Sequence, residues 1–327
     1  MGLKSTIPRV APARPGAARS AGDDYGVSDT PDWRSIDWAA HAGQEQIAGA
    51  RVNYIDIGDD RSQHPIVFVH GLGGQWQNWL ENIPRFATDR RVVALDLPGF
   101  GASSMPDQKI TIDLYGRVLA ELMDRLELGP SVLVGNSMGG YISAELVIER
   151  PELAERLVLV SAAGVSQMDV EKAPVIAVAK AIGLATTMDV ARLRMVARRP
   201  RLRHLALGFV ARHPSALRSD LSFEGFMSGT GRDGFEPALR ASLEYDFRDR
   251  LPDIGCPTLV VWGDKDMVIP VGDADKFVDL IKGSRKIIMK DTGHVSMAER
   301  PVTFNNHLEE FLTYAVSEGE LEGELSR

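Results

Sequence analysis

The most restrictive feature of this sequence is Gly-Asn-Ser-Met-Gly-Gly at residues 135–140. It follows an apolar run, residues 131–134, and opens a helical stretch, residues 137–149, that stops before Pro151. Glycines on both sides of Ser137 permit a turn so tight that the serine backbone is strained. The pattern predicts a hydroxyl raised above a sheet, with turn amides and a helix N-terminus facing any negative charge that develops there. A phosphate loop is not favoured, because no lysine follows the glycines and the spacing is not G-x-G-x-x-G.

On both sides of this turn, short runs that are apolar on both faces alternate with helical stretches. The strand-like runs lie at 66–69, 92–95, 131–134, 157–160, 258–262 and 286–289. Such runs are typical of parallel strands covered on both faces. From 165 to 250 the alternation stops, and the sequence is helical and rich in arginine. We therefore predict an α/β fold with a mostly parallel, doubly wound sheet, whose core comprises 46–164 and 251–315 and carries an inserted helical cap over 165–250.

The two ends of the chain differ in composition from this core. We expect residues 1–45 to form a disordered N-terminal extension and residues 316–327 an acidic tail. Residues 1–22 contain no acidic residue and are rich in Ala, Pro and Arg, so an organelle transit peptide is the alternative there. No uncharged apolar run reaches the roughly 18 residues of a membrane span. We expect a cytoplasmic protein.

Charge and cysteine content restrict the partners. The formal net charge is −8, which disfavours nucleic acid, since phosphates are met by an excess of Lys and Arg. With Cys256 as the one cysteine, neither an intrachain disulfide nor a multi-cysteine metal site is possible. We expect Cys256 to be a small buried residue. The sequence implies no metal and no organic cofactor, and it points to a small-molecule substrate.

A serine needs a base, and His294 has the position for one. It lies in Asp-Thr-Gly-His at 291–294, between the last predicted strand and the last helix, where such sheets carry their chemistry. The carboxylate that orients it should come from Trp-Gly-Asp-Lys-Asp at 262–266, after the preceding strand, in the chain order Ser, Asp, His. The oxyanion amides should be those of Met138, directly after the serine, and of Leu72 in the glycine-rich loop after the first buried strand.

At these residues the chain resembles the α/β-hydrolase superfamily, in its capped esterase, lipase and C–C hydrolase branch. The resemblance covers residues 47–315 and depends on the motifs HGLGG (70–74), DLPGFGAS (96–103), GNSMGG (135–140), WGDKDMVIP (262–270) and GHVSMAERP (293–301). It implies that Asp266 is the acid of the triad and that Asp264 shapes the turn. It also implies a helical cap in the region predicted above.

The resemblance narrows the activity to three alternatives. Ser137 stands where haloalkane dehalogenases and epoxide hydrolases carry Asp, which disfavours those two activities. Asn136 is similar to the meta-cleavage C–C bond hydrolases, but Val295 departs from the Trp that they tend to carry after the histidine. Carboxylic ester hydrolysis, of the carboxylesterase or lipase kind, therefore ranks first. C–C hydrolysis and a receptor-like, ligand-binding member with slow turnover are the alternatives.

Two regions bear on the substrate, which we expect to be an apolar ester. Around the serine, we expect the pocket to be lined by Gly71, Trp76, Asn136 and Val295. The predicted cap contains six arginines between 192 and 203, whose simplest interpretation is a solvated helix face. Two further interpretations stay open: one arginine binds a substrate carboxylate, or the basic cap contacts anionic lipid at a membrane surface.

Overall fold

The computed structural model describes residue 13 and residues 21–166, 190–228 and 233–313. Eight strands form one sheet: β1 (Ala42–Ile47), β2 (Ala50–Ile57), β3 (Ile66–Val69), β4 (Val92–Leu95), β5 (Ser131–Asn136), β6 (Ala154–Val160), β7 (Thr258–Gly263) and β8 (Arg285–Met289). Their order is β1-β2-β4-β3-β5-β6-β7-β8. Strand β2 pairs antiparallel with β1 and β4, and the other pairs are parallel. The predicted mostly parallel sheet is confirmed.

Helices connect these strands and cover the sheet. They are α1 (Ile83–Phe86), α2 (Ile112–Arg125), α3 (Met138–Glu149), α4 (Val190–Arg198), α5 (Pro200–Leu207), α6 (Ser219–Leu221), α7 (Phe235–Glu244), α8 (Gly272–Leu280), α9 (Ser296–Glu299) and α10 (Pro301–Thr313). A π-helix spans Ser222–Met227, and 3₁₀ helices span Trp33–Ser35, Trp38–His41, Trp76–Trp79, Pro151–Leu153 and Arg248–Asp253. None of the helices in the described segments has the length and apolar character needed to cross a bilayer.

The central strands are apolar along their whole length because both faces of the sheet are covered. In β3, Val67 and Val69 belong to the cluster beneath α2, α3 and α8, whereas Ile66 and Phe68 face α1, α9 and α10. All four residues of β3 are fully buried. Burial of a side chain of this size contributes about 1.5–3 kcal/mol, so each face of the sheet anchors its own helical layer.

The long connection between β6 and β7 carries the helices α4 to α7 and the π-helix. Its apolar residues form a separate small cluster that includes Leu193, Leu207 and Phe223. We call residues 190–228 the cap. Residues 167–189 and 229–232 of the predicted insertion lie outside the described residues.

The N-terminal segment differs from the expectation of a disordered extension over 1–45. Within the described residues 21–45, Tyr25 and Trp33 are buried, and β1 begins at Ala42. The Trp33 indole donates a 3.0 Å hydrogen bond to Glu81 Oε1. The prediction was wrong here because the Ala-, Pro- and Arg-rich composition ends near residue 22, and the aromatic residues beyond it bury apolar area on the core. The acidic tail predicted over 316–327 lies outside the described residues.

Candidate active site

Ser137 lies at the tip of the turn that joins β5 to α3. Its backbone has φ 57° and ψ −119°, a region that costs a non-glycine residue free energy and persists only where neighbours enforce it. The neighbours here are backbone groups. The Ser137 amide donates to Val160 O at 2.9 Å, and its carbonyl accepts from the amides of Tyr141 (3.2 Å) and Ala163 (3.0 Å). The serine is therefore held in its strained conformation from both sides.

The glycines around Ser137 are required by close backbone approach. A Cβ at Gly135 would collide with the Gly139 carbonyl, and a Cβ at Gly139 would collide with the carbonyl of Val69 in β3. From the facing loop, a Cβ at Gly71 would come within 3.0 Å of Ser137 Cβ. Gly71, which we expected in the pocket, thus lies directly against the serine.

The predicted base and acid are hydrogen-bonded to each other. His294 Nδ1 lies 2.8 Å from Asp266 Oδ2, and both residues are buried. Asp266 Oδ1 accepts from the amides of Val268 (2.7 Å) and Ile269 (3.0 Å), which fixes the carboxylate. With Nδ1 bonded to this carboxylate, Nε2 is the ring nitrogen left for another partner.

The other candidate acid, Asp264, has a different environment. Its carboxylate pairs with Lys265 at 2.7 Å and accepts a long 3.4 Å hydrogen bond from the Thr292 amide. The structure thus brings Asp266, and not Asp264, to the imidazole, as the resemblance implied.

Asn136 joins the serine turn to the histidine loop. Its side-chain Nδ2 donates to the His294 carbonyl at 3.2 Å and to the Val160 carbonyl at 3.1 Å. The residue before the serine is therefore bonded to the backbone of the histidine itself. We expected Asn136 to line the substrate pocket, but its amide donor is used within the protein and braces the two loops.

The glycine-rich loop after β3 is positioned by His70. The Leu97 amide donates to His70 Nε2 at 3.0 Å, so the ring proton is on Nδ1, which donates to Gly71 O at 2.7 Å. Burial lowers the pKa of His70 to about 4, and the ring is neutral at physiological pH. His70 therefore holds the loop and is not a base.

The two expected oxyanion amides lie on elements that meet at Ser137. Met138 is the first residue of α3, so its N–H has no carbonyl partner within the helix. Leu72 is half-buried in the loop that Gly71 brings against the serine. The helix dipole adds partial positive charge on the Met138 side.

Two further expected pocket residues are packed into the core. Trp76 is 8% exposed, packs against the tilted ring of Trp38 at a centroid distance of 5.0 Å, and donates its backbone N–H to Asp96 at 2.8 Å. Val295 is 5% exposed and belongs to the cluster beneath α9 and α10. Packing accounts for both residues, and the ring of Trp38 covers part of the Trp76 ring.

Sequence reasoning missed Glu299, which is fully buried behind the histidine loop. Its carboxylate accepts hydrogen bonds from the amides of Gly293 (2.9 Å), Val295 (3.3 Å) and Arg212 (2.7 Å) and from the hydroxyl of Tyr25 (2.6 Å). Burial raises the pKa of Glu299 above its ordinary value. The signal available in the sequence was the run Ser-Met-Ala-Glu at 296–299, in which Glu299 is the one charged residue.

The cap is also hydrogen-bonded to the histidine loop. The His294 amide donates to Val210 O at 2.8 Å, and Asp291 bonds Arg212 Nε (3.1 Å) and His213 Nε2 (2.7 Å). Burial alone would raise the pKa of Asp291, but hydrogen bonds and charges from His213 and Arg212 lower it below its ordinary value. The histidine is therefore held from the core, the cap and the N-terminal segment.

Metal and thiol chemistry have little support in this part of the molecule. Among the described side chains, His, Cys, Asp and Glu nowhere form a group of three or more suited to a metal ion. Cys256 is half-buried, and burial raises the pKa of its thiol to about 11. The thiol is therefore protonated at neutral pH and a poor nucleophile.

A doubly wound sheet with a strained serine turn, a carboxylate after β7 and a histidine after β8 defines the α/β-hydrolase class. The chain belongs to the alpha/beta hydrolase fold family, whose model matches residues 64–301. It is 30% identical to the 2-hydroxy-6-oxononadienedioate/2-hydroxy-6-oxononatrienedioate hydrolase of Escherichia coli strain K12, over 80% of this chain and 91% of that protein.

Two other proteins share this similarity. The dihydrolipoyllysine-residue acetyltransferase component of the acetoin cleaving system of Cupriavidus necator is 30% identical, over 95% of this chain and 79% of that protein. The solved structure of a bacterial membrane phospholipase A superposes with a TM-score of 0.65 at 27% identity, covering 85% of this chain and 88% of that one. The similarity therefore extends over most of the chain in each case.

Proposed function

We propose that this protein is a serine hydrolase that cleaves carboxylic esters through an acyl-enzyme, with Ser137 as nucleophile, His294 as base and Asp266 as its orienting acid. The observation that carries the proposal is the pair of bonds on His294. Its ring is bonded to Asp266 through Nδ1, while its backbone carbonyl is bonded to Asn136, the neighbour of the serine. This arrangement leaves Nε2 as the basic atom, in a loop tied to the serine turn.

The steps follow from this arrangement. His294 Nε2 takes the proton of the Ser137 hydroxyl as the oxygen attacks the ester carbonyl, and Asp266 stabilises the imidazolium that forms. The amides of Leu72 and Met138 donate to the oxyanion. His294 returns the proton to the leaving alcohol, and a water molecule, activated by the same imidazole, then releases the acid.

Two arginines of the cap are already bonded to protein groups. Buried Arg203 donates to the backbone carbonyls of Pro214 (2.7 Å) and Ser215 (2.9 Å), so its guanidinium serves the cap itself. Arg212, which adjoins the histidine loop, pairs with Asp291. These two arginines are therefore committed to protein groups. This favours an apolar ester over a dicarboxylate.

C–C bond hydrolysis is the second candidate, and two observations favour it. The chain carries Asn136 in the motif GNSMGG, and it is 30% identical to the E. coli hydrolase, whose name denotes a dienedioate or trienedioate substrate. A panel of p-nitrophenyl esters and a 2-hydroxy-6-oxodienoate, assayed at equal enzyme concentration, separates the two. A higher kcat/KM on the esters supports our proposal, and the reverse order assigns C–C hydrolysis.

The nucleophile is tested by labelling with a fluorophosphonate and by Ser137→Ala. We expect the wild-type protein to label at Ser137 and the variant to lose about a million-fold in kcat. Ser143→Ala is a matched control, because Ser143 lies in α3, which begins directly after Ser137, and its buried hydroxyl has no hydrogen-bond partner among the described residues. Near-normal ester turnover by Ser137→Ala would refute the assignment. Stoichiometric labelling by an ester that never clears would indicate a ligand-binding protein.

A further inference from the structure

The outer surface of α4, α5 and the turn after them exposes large apolar side chains. Val190 is 58% exposed, Met195 43%, Leu205 78% and Phe209 54%. Only three other large hydrophobic side chains among the described residues are similarly exposed, and they are scattered: Val27, Met105 and Ile288. We call residues 190–209 the cap surface. Exposed apolar side chains concentrated on one surface mark an interaction site more often than isolated ones do.

The same surface is strongly basic, although the chain as a whole is acidic. Residues 190–219 contain eight arginines and no Asp or Glu, against a net charge of −8 for the whole chain. Five of these side chains lie on exposed positions of the cap surface: Arg192, Arg194, Arg198, Arg199 and Arg201. A partner of this surface must therefore combine negative charge with an apolar phase.

Three of these arginines and two of the exposed large apolar side chains line one concavity. An open cavity of about 650 Å³ is lined by Val190, Ala191, Arg194, Met195, Arg198 and Arg199. The guanidinium carbon of Arg194 lies over the Phe223 ring, 4.9 Å from its centroid. This cation–π contact orients the arginine at one side of the cavity. Arginines that flank an apolar hollow match a phosphate group attached to a hydrocarbon chain.

We propose that the cap surface docks on an anionic phospholipid membrane. The arginines bind headgroup phosphates, and Leu205 and Phe209 enter the boundary between headgroups and acyl chains. A second copy of this chain fits the surface less well, since the cores of homodimer interfaces are depleted in charge. Nucleic acid would match the arginines but would leave Leu205 and Phe209 in water.

The position of the surface relates docking to the candidate site. Phe209 directly precedes Val210, whose carbonyl accepts the His294 amide at 2.8 Å. A membrane bound at the cap surface thus lies against the element that holds the histidine loop. Docking itself needs no hydrolysis, so its test does not depend on the proposed function.

The test is flotation of the full-length protein with two kinds of vesicle, phosphatidylcholine alone and an equimolar mixture with phosphatidylglycerol. We expect binding to the anionic vesicles that weakens as salt is raised. Leu205→Ser with Phe209→Ser should lower the partition constant by at least about tenfold. Arg198→Glu with Arg201→Glu should lower it by at least about fivefold for each arginine lost.

The matched controls make the same kinds of substitution at exposed positions outside the cap surface. Met105→Ser with Ile288→Ser replaces two other exposed apolar side chains by serine. Arg51→Glu with Arg61→Glu changes the net charge by the same amount at two other exposed arginines. Both control pairs should bind as the wild-type protein does. Thermal melting of every variant verifies that it is folded.

Three outcomes would overturn the proposal. The first is absence of binding to anionic vesicles, and the second is equal loss of binding in the control pairs. The third is a dimer in light scattering that Leu205→Ser with Phe209→Ser dissociates, because the cap surface would then be a subunit interface.

Discussion

The hydroxyl of Tyr25 donates a 2.6 Å hydrogen bond to Glu299 Oε2, across 274 positions of sequence. The same carboxylate accepts from the amides of Gly293 and Arg212, so one buried group joins the N-terminal segment, the cap and the loop of His294. The Tyr25 hydroxyl also accepts from the His213 amide at 2.7 Å. The site thus depends on residues that are far from it in sequence.

Removing this hydroxyl should weaken the protein and its catalysis together. Tyr25→Phe leaves Glu299 and the His213 amide each without one partner in a buried place, which should cost about 1–3 kcal/mol of the free energy of unfolding. Because Glu299 also holds Gly293, we expect kcat on an ester to fall while KM changes little. Urea unfolding and steady-state kinetics measure the two effects.

Tyr54→Phe is the control for that substitution. Tyr54 is a buried tyrosine of β2, remote from the histidine loop in sequence and on another element. Its variant should keep the wild-type kcat. If both variants lost kcat equally, the position of Glu299 would not matter for turnover.

The two neighbouring aspartates should respond differently to the same change. Asp266→Asn places an amide N–H where a carboxylate now accepts from two backbone amides and orients His294, so we expect a loss of about 10⁴-fold in kcat. Asp264→Asn alters a half-exposed pair with Lys265 and should leave kcat within about tenfold. Hydrolysis of a p-nitrophenyl ester by each variant measures the ranking, and the opposite ranking would assign the acid to Asp264.

The sequence predicted the parts of the site that depend on local pattern. The turn at Ser137 could be recognised because its glycines are needed by contacts with the adjacent strand and helix. The choice of Asp266 over Asp264 came from the resemblance to the α/β-hydrolase superfamily. The role of Glu299 could not be predicted, because its donors come from positions near 25, 212 and 293. The ordered structure of residues 21–45 was missed for a similar reason. Trp33 is held there by partners such as Glu81, which lies outside that segment of the sequence.

Asn136 should matter for turnover more than for binding. Asn136→Ala removes the donor that ties the His294 carbonyl to the serine turn, and a displacement of about 1 Å between reacting groups costs about 100-fold in rate. We expect kcat to fall by that order with KM little changed. Asn53→Ala is a matched control, because Asn53 is also buried and donates to Asp96 at 2.9 Å, away from the histidine. It should lose stability but keep kcat, and an equal loss of kcat in both variants would contradict the bracing role.

The neutral ring of His70 should make the protein sensitive to acid. Its pKa is about 4 in the folded state because of burial, below the ordinary value of 6.5, so the unfolded chain binds the proton more readily. The stability that this ring contributes is fully present above the ordinary pKa and is lost as pH falls toward the folded pKa. The loss amounts to about 3 kcal/mol of unfolding free energy.

His70→Gln lacks this titration and should give a flatter profile of unfolding free energy between those two pKa values. His64→Gln, at an exposed histidine, should keep the wild-type slope. Parallel profiles for wild type and His70→Gln would mean that another group causes the loss of stability in acid.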